Sequence, residues 1–235
     1  MPANNESALT LPEAQKRLAE VRAGLENAAK KCGRQADEIK LLAVSKTFPA
    51  EMVLTYLKAG QLDFGESYIQ EARDKSAMLT GADPAPNWHF IGHLQTNKGK
   101  YAAGIFSTLH SLDSLDLAAE LDKRLAAAGR TMDVYIQVNV AGEIQKSGLE
   151  PADFPAFLDS LAQYARLRPV GLMTMPPYDP DPEAARPHFA ALRELRDKRA
   201  PQLGGLSMGM SGDYAVAIEE GATVIRVGTA LFGAR

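Results

Sequence analysis

The chain is 235 residues long, with 46% hydrophobic and 23% charged residues, enough for one large core or two small domains of a globular protein. Lys and Arg total 26 against 29 Asp and Glu, and the net charge of −3 argues against a protein that coats nucleic acid or an acidic membrane. A single cysteine, Cys32, excludes an intrachain disulfide and a cysteine-based zinc site, and no apolar run approaches the roughly 18 residues of a membrane span.

Residues 1–9 read as a polar, disordered tail without the basic and apolar segments of a secretory signal. Thr10-Leu11-Pro12-Glu13 has the form of a capping box with proline in the first turn. Leu11, Ala14, Leu18, Val21, Leu25 and Ala28 then recur at three- and four-residue steps, which predicts an amphipathic helix ending near Gly33. From there short apolar runs alternate with helical stretches. Strands are expected at about 39–46, 62–66, 87–92, 105–112, 132–140, 167–175, 205–210 and 223–229. Helices are expected in the gaps, at about 49–59, 67–79, 97–103, 114–128, 151–164, 183–199 and 213–220.

Strand–helix alternation of this kind is the mark of parallel crossovers, and about eight units fit a single (β/α)8 TIM-type barrel over residues 10–235. The expected fold carries an additional N-terminal helix and no C-terminal β domain. No outer helix is expected after the last strand, so the N-terminal helix should cover that side. An open doubly wound sheet competes, but its glycine-rich turn after the first strand is missing from Ser45-Lys46-Thr47. The proline-rich 176–182 stretch reads as a loop rather than a domain boundary.

Function in such a barrel sits where the strands end. In the first strand Leu42, Val44 and Lys46 share a face, so Lys46 should point into the mouth if the other two fill the lumen. A strand-end lysine is ordinarily a snorkelling surface residue; the alternative is an amine that condenses with a carbonyl. In the last strand Val224, Arg226 and Gly228 share a face, and barrel closure would bring Arg226 near Lys46. An arginine within TVIRVG needs a partner, and an ion pair with a barrel carboxylate is the plain alternative. After the seventh strand comes Gly209-Met210-Ser211-Gly212-Asp213, and after the eighth Gly228-Thr229. Small residues let main-chain amides approach an anion, and phosphate commonly binds after strands 7 and 8; ordinary tight turns with Ser211 as a helix cap would look the same.

Together an amine, a buried arginine and a phosphate cradle on one rim fit pyridoxal 5′-phosphate. Its aldehyde would meet Lys46, its phosphate 211–212 and 228–229, and its pyridine nitrogen Arg226, which would disfavour protonation of that nitrogen and leave a weak electron sink. Gly205-Leu206-Ser207-Met208-Gly209 matches a hydrolase nucleophile elbow, but His89, His93, His110 and His188 all precede Ser207, against that fold's chain order, so Ser207 reads as a strand residue. His89 and Tyr68 read as packing or hydrogen-bonding residues. Lys146, in the loop after the fifth strand, is a candidate contact for a second cofactor molecule or a docking partner, with a solvated loop lysine as the alternative.

The chain resembles the pyridoxal phosphate homeostasis proteins, relatives of the alanine racemase barrel domain. The resemblance rests on LLAVSKTFPAE (41–51), FGESYIQEA (64–72), WHFIGHLQTNK (88–98), HSLDS (110–114), QVNVAGEIQKSG (137–148), GLMTM (171–175) and the long run 206–233, in that order. It implies a barrel holding pyridoxal phosphate as a Schiff base on Lys46. It also implies phosphate contacts at Ser211, Gly228 and Thr229, with Met210 and Gly212 in the same loop, and a pyridine contact at Arg226. The family usually reads GEN where this chain has Gly65-Glu66-Ser67, so Ser67 stands in for a ring-side asparagine. No catalytic or metal-ligating residue is implied; the expected role is intracellular homeostasis of the cofactor, with apo forms of pyridoxal-phosphate enzymes as partners, in a cytoplasmic monomer that binds neither nucleic acid nor membrane. A weak racemase-like enzyme and a cofactor-free Schiff-base aldolase remain open as alternatives.

Overall fold

The structure is a computed structural model and describes residues 9–143 and 147–234. Most of the expected tail (residues 1–8) and Lys146 lie outside the described residues. Leu9, assigned to that tail, packs partly buried against the core.

Helix α1 (Leu11–Lys31) starts as its sequence demands. The Thr10 hydroxyl accepts the Glu13 amide, and the Glu13 carboxylate accepts the Thr10 amide at 2.9 Å. Ala14, Leu18, Val21, Leu25, Ala28 and Ala29 form its buried stripe.

Eight parallel strands follow: β1 (Lys40–Val44), β2 (Asp63–Glu66), β3 (Asn87–Phe90), β4 (Thr108–Leu112), β5 (Met132–Gln137), β6 (Leu167–Met173), β7 (Gly205–Ser207) and β8 (Val224–Val227). They form a closed barrel in chain order, with β8 returning to β1 and Leu42 paired with Arg226. The outer layer comprises α2 (Ala50–Lys58), α3 (Ile69–Met78), α4 (Gly99–Ile105), α5 (Leu115–Ala127), α6 (Phe154–Leu161), α7 (Arg186–Arg199), α8 (Tyr214–Glu219) and α9 (Thr229–Phe232).

The elements are those expected, with shorter strands. β1 stops at Val44, and Lys46 lies in the turn beyond it. Ile105 closes α4 rather than opening β4, because the apolar run of 105–109 continues across the helix end and carries no period to mark the change. A one-turn helix, α9, does follow β8 where none was expected. α1 packs against α2, α8 and α9, which is the position expected for it.

Alternation along the strands divides the apolar residues into two sets. Leu42, Tyr135, Met173 and Val224, with Ile91 and Val170, fill the lumen. Phe64, Phe90, Phe106, Phe154 and Phe189 are fully or almost fully buried in the larger cluster that joins strands to helices. Among the described residues no helix is long and apolar enough to cross a membrane.

Candidate functional site

The C-terminal ends of the strands surround a cavity of about 710 Å³. All eight residues singled out from the sequence line it: Lys46 after β1, Ser67 after β2, Met210, Ser211 and Gly212 after β7, and Arg226, Gly228 and Thr229 from β8 and its end. Lys46 arrives there by parity. Leu42 packs in the lumen, Val44 lines the cavity floor and Lys46 is the next residue on that face. Ser67 is brought to the wall by glycine: a Cβ on Gly92 would lie 2.3 Å from the Ser67 carbonyl oxygen, so only glycine permits this approach.

Arg226 is 4% exposed. Its Nη1 donates to the Ser207 carbonyl at 2.7 Å and to Ser207 Oγ at 2.8 Å, and its Nη2 donates to the Thr174 carbonyl at 3.0 Å. The ion-pair alternative is therefore not what is found: no carboxylate among the described residues bridges to this guanidinium. Neutral oxygens hold it, and its charge stays undischarged at the cavity edge. Burial pulls its pKa down to about 10, with the Asp213 charge opposing, so it is a cation at neutral pH.

Behind Arg226 a ladder of polar side chains descends through the lumen. Ser207 Oγ lies 2.8 Å from His110 Nδ1, His110 Nε2 lies 3.0 Å from His89 Nδ1, and His89 Nε2 lies 3.0 Å from Asp63 Oδ1. Because the ionised Asp63 carboxylate can only accept, the proton order follows for neutral imidazoles. Ser207 accepts from Arg226 and donates to His110, His110 donates to His89, and His89 donates to Asp63. Burial lowers the pKa of both histidines, keeping them neutral and the ladder intact. Burial pushes the Asp63 carboxyl up, but the His89 hydrogen bond, the Lys40 charge and Asn87 outweigh it and bring it to about 2. The Ser207–His110 contact resembles a nucleophile and its base, yet Ser207 is fully buried, lies outside the cavity lining and already accepts from a cation. It closes β7 as a strand residue, as expected.

The loops after β7 and β8 supply anion-binding chemistry. Among the described residues the amides of Ser211, Gly212 and Thr229 have no acceptor, while Ser211 Oγ faces the Ala230 amide at 3.5 Å. The Met210 amide is spent on Asp213 Oδ1 at 2.6 Å, a contact that shapes the loop. Gly209, at φ +93°, lets α8 begin tightly behind it, since a Cβ would lie 2.6 Å from that of Ala217. Three unpaired amides, a hydroxyl, a lysine and a buried arginine around one cavity match a phosphate, a carbonyl and a ring acceptor; the donor set therefore fits pyridoxal phosphate.

Sequence reasoning missed Gln137, Asn139 and Thr174 in the cavity wall and His110 in the ladder. Inward parity of histidine in a barrel strand was the available signal for His110. His89 proves to be a hydrogen-bonding residue, as read.

Comparison with known proteins gives concordant matches. The profile described as "Alanine racemase, N-terminal domain" matches residues 17–235. Proteins named "Pyridoxal phosphate homeostasis protein" are 44% identical in Aquifex aeolicus (93% of this chain, 97% of that one) and 47% identical in Pseudomonas aeruginosa (93% and 94%). The solved structure of PipY from Synechococcus elongatus with PLP bound superposes with a TM-score of 0.81 at 38% identity, covering 94% of this chain and all of that one. An alanine racemase from Clostridium difficile shares the fold at a TM-score of 0.71 and 14% identity, and this chain spans 58% of it.

Proposed function

The chain belongs to the alanine racemase N-terminal-domain family, and within it to the pyridoxal phosphate homeostasis proteins; from this we propose that it binds pyridoxal 5′-phosphate and buffers it for the enzymes that use it. The observation that carries the reading is the convergence of a lysine just past β1, a β8 arginine and three unpaired amides on one cavity. Pyridoxal phosphate supplies an aldehyde, which condenses with a primary amine and releases water, together with a phosphate dianion and a basic ring nitrogen.

Lys46 contributes the amine. The amides of Ser211, Gly212, Gly228 and Thr229, with the Ser211 hydroxyl, hold the phosphate, and Met210 shapes that loop. Arg226 faces the ring nitrogen as a donor whose positive charge is compensated only by neutral oxygens. A cation there keeps the nitrogen unprotonated and the ring a weak electron sink, poorly suited to transamination. Ser67 takes the ring-side position with a shorter side chain than asparagine. The protein then acts as a cytoplasmic monomer that passes its cofactor to apoenzymes, without catalytic turnover of its own.

The test is borohydride reduction of the native protein followed by peptide mass mapping. A reduced cofactor adduct on Lys46 is expected; an adduct elsewhere, or none under saturating cofactor, sinks the assignment. Turnover of any L- or D-amino acid that disappears in Lys46→Ala would replace storage by catalysis.

A further inference from the structure

The main chain on either side of Lys46 is gripped from outside the barrel. Ser45 points away from the lumen, and its Oγ donates to Glu66 Oε1 at 2.6 Å. Lys75, on α3 and 5% exposed, donates to the Ser45 carbonyl at 2.6 Å, to Glu66 Oε1 at 2.7 Å and to Glu71 Oε1 at 2.6 Å. The same Glu71 oxygen accepts the Thr47 amide at 2.5 Å. One buried ion cluster thus holds residue 45 by its carbonyl and hydroxyl and residue 47 by its amide.

Thr47 has φ +70° and is the single non-glycine residue with positive φ among those described. A β-branched side chain is a poor occupant of that region, so the turn persists only if something holds it. Thr47 itself is exposed; the turn is closed by the Phe48 amide, which donates to the Ser45 carbonyl at 3.1 Å, but that bond leaves the Thr47 amide to the cluster. Nor does stability alone explain the cluster, because a buried lysine with two carboxylates is often replaceable by apolar residues without loss. Apolar residues could not grip a carbonyl and an amide.

We propose that Lys75, Glu66 and Glu71 form a positioning clamp that directs the Lys46 amine into the cavity by fixing the main chain at Ser45 and Thr47. The inference rests on the reading of Lys46 as the amine that bonds the cofactor. It predicts that the clamp governs covalent capture and leaves recognition of ring and phosphate alone.

Two measurements separate these on the full chain: the rate of borohydride-trapped adduct formation at Lys46 with pyridoxal phosphate, and calorimetric affinity for pyridoxine 5′-phosphate, which has the ring and phosphate but no aldehyde. Glu71→Ala, at a half-buried position whose loss leaves the Thr47 amide to water, should slow capture about tenfold while pyridoxine phosphate affinity stays within about twofold, as misorientation of one reacting group alone would do. Lys75→Met should slow it further. Adding Thr47→Gly to Glu71→Ala should restore capture, since glycine enters positive φ without support. Unchanged capture in Glu71→Ala, an equal fall in pyridoxine phosphate affinity, or no recovery with Thr47→Gly overturns the clamp. If the unaltered chain itself forms no adduct at Lys46, the functional reading fails first and the clamp with it.

Discussion

One lysine opens β1 and another lies two residues past its end, and the two rims of the barrel treat them differently. At its start Lys40 lies 3.1 Å from Asp63, which also anchors the foot of the histidine ladder. Past its end Lys46 shares the cavity with Arg226, whose charge is held by two carbonyls and a hydroxyl. A carboxylate on the lower rim neutralises its cation and makes it structural. Neutral oxygens on the upper rim fix a cation in place without cancelling its charge, leaving it for a ligand.

The widest gap should appear between the two lysines. Lys46→Ala should abolish the visible absorbance of bound cofactor with circular dichroism unchanged, whereas Lys40→Ala should keep that band and cost no more than about 1 kcal/mol, as for other solvent-exposed pairs. A band lost in both would erase the distinction between the rims. Next is Arg226→Leu, which strands the Ser207 and Thr174 oxygens in the interior; a loss of about 2–4 kcal/mol in urea unfolding of the apo protein is expected. A neutral result would mean that the guanidinium is not held by those groups.

Ser211→Ala should weaken cofactor binding about tenfold, or about 1.4 kcal/mol, without moving the apo melting temperature. An unchanged dissociation constant would take the phosphate away from this loop. The smallest effect concerns the ladder. Burial holds His89 and His110 below the ordinary 6.5, so below pH 6.5 the unfolded chain binds protons that the folded chain refuses. The stability they contribute is therefore complete above pH 6.5 and drains away as pH falls towards their folded values. His110→Phe should shrink the stability lost between pH 7 and pH 5.5 by about 1 kcal/mol, the share of one such histidine. An acid limb as steep as before would mean that His110 titrates normally.

Much of this was legible because it is local. The capping box of Thr10 and Glu13 and the stripe from Ala14 to Ala28 are written at fixed spacings. The two-residue period that puts Leu42, Val44 and Lys46 on one face also survives the shortening of β1. Arg226 stood out as a charge in an apolar strand, but its partners did not, because Thr174 is 52 residues away and contributes a main-chain carbonyl that no side-chain pattern announces. His110 and Ser207 are 97 residues apart and meet only inside the closed lumen. The clamp was missed for the same reason: Lys75 is an ordinary helix lysine until α3 packs behind the turn at Lys46.

The order of strands and helices, the face each residue takes and the glycine-rich character of the last two loops could all be read off the chain, since each depends on neighbours within a few residues. The direct contacts of Arg226, the meeting of His110 with Ser207 and the seizure of Ser45 and Thr47 from outside belong to the folded barrel alone. They join residues distant in sequence, mostly through oxygens and amides that every residue possesses, and only packing decides which of these meet.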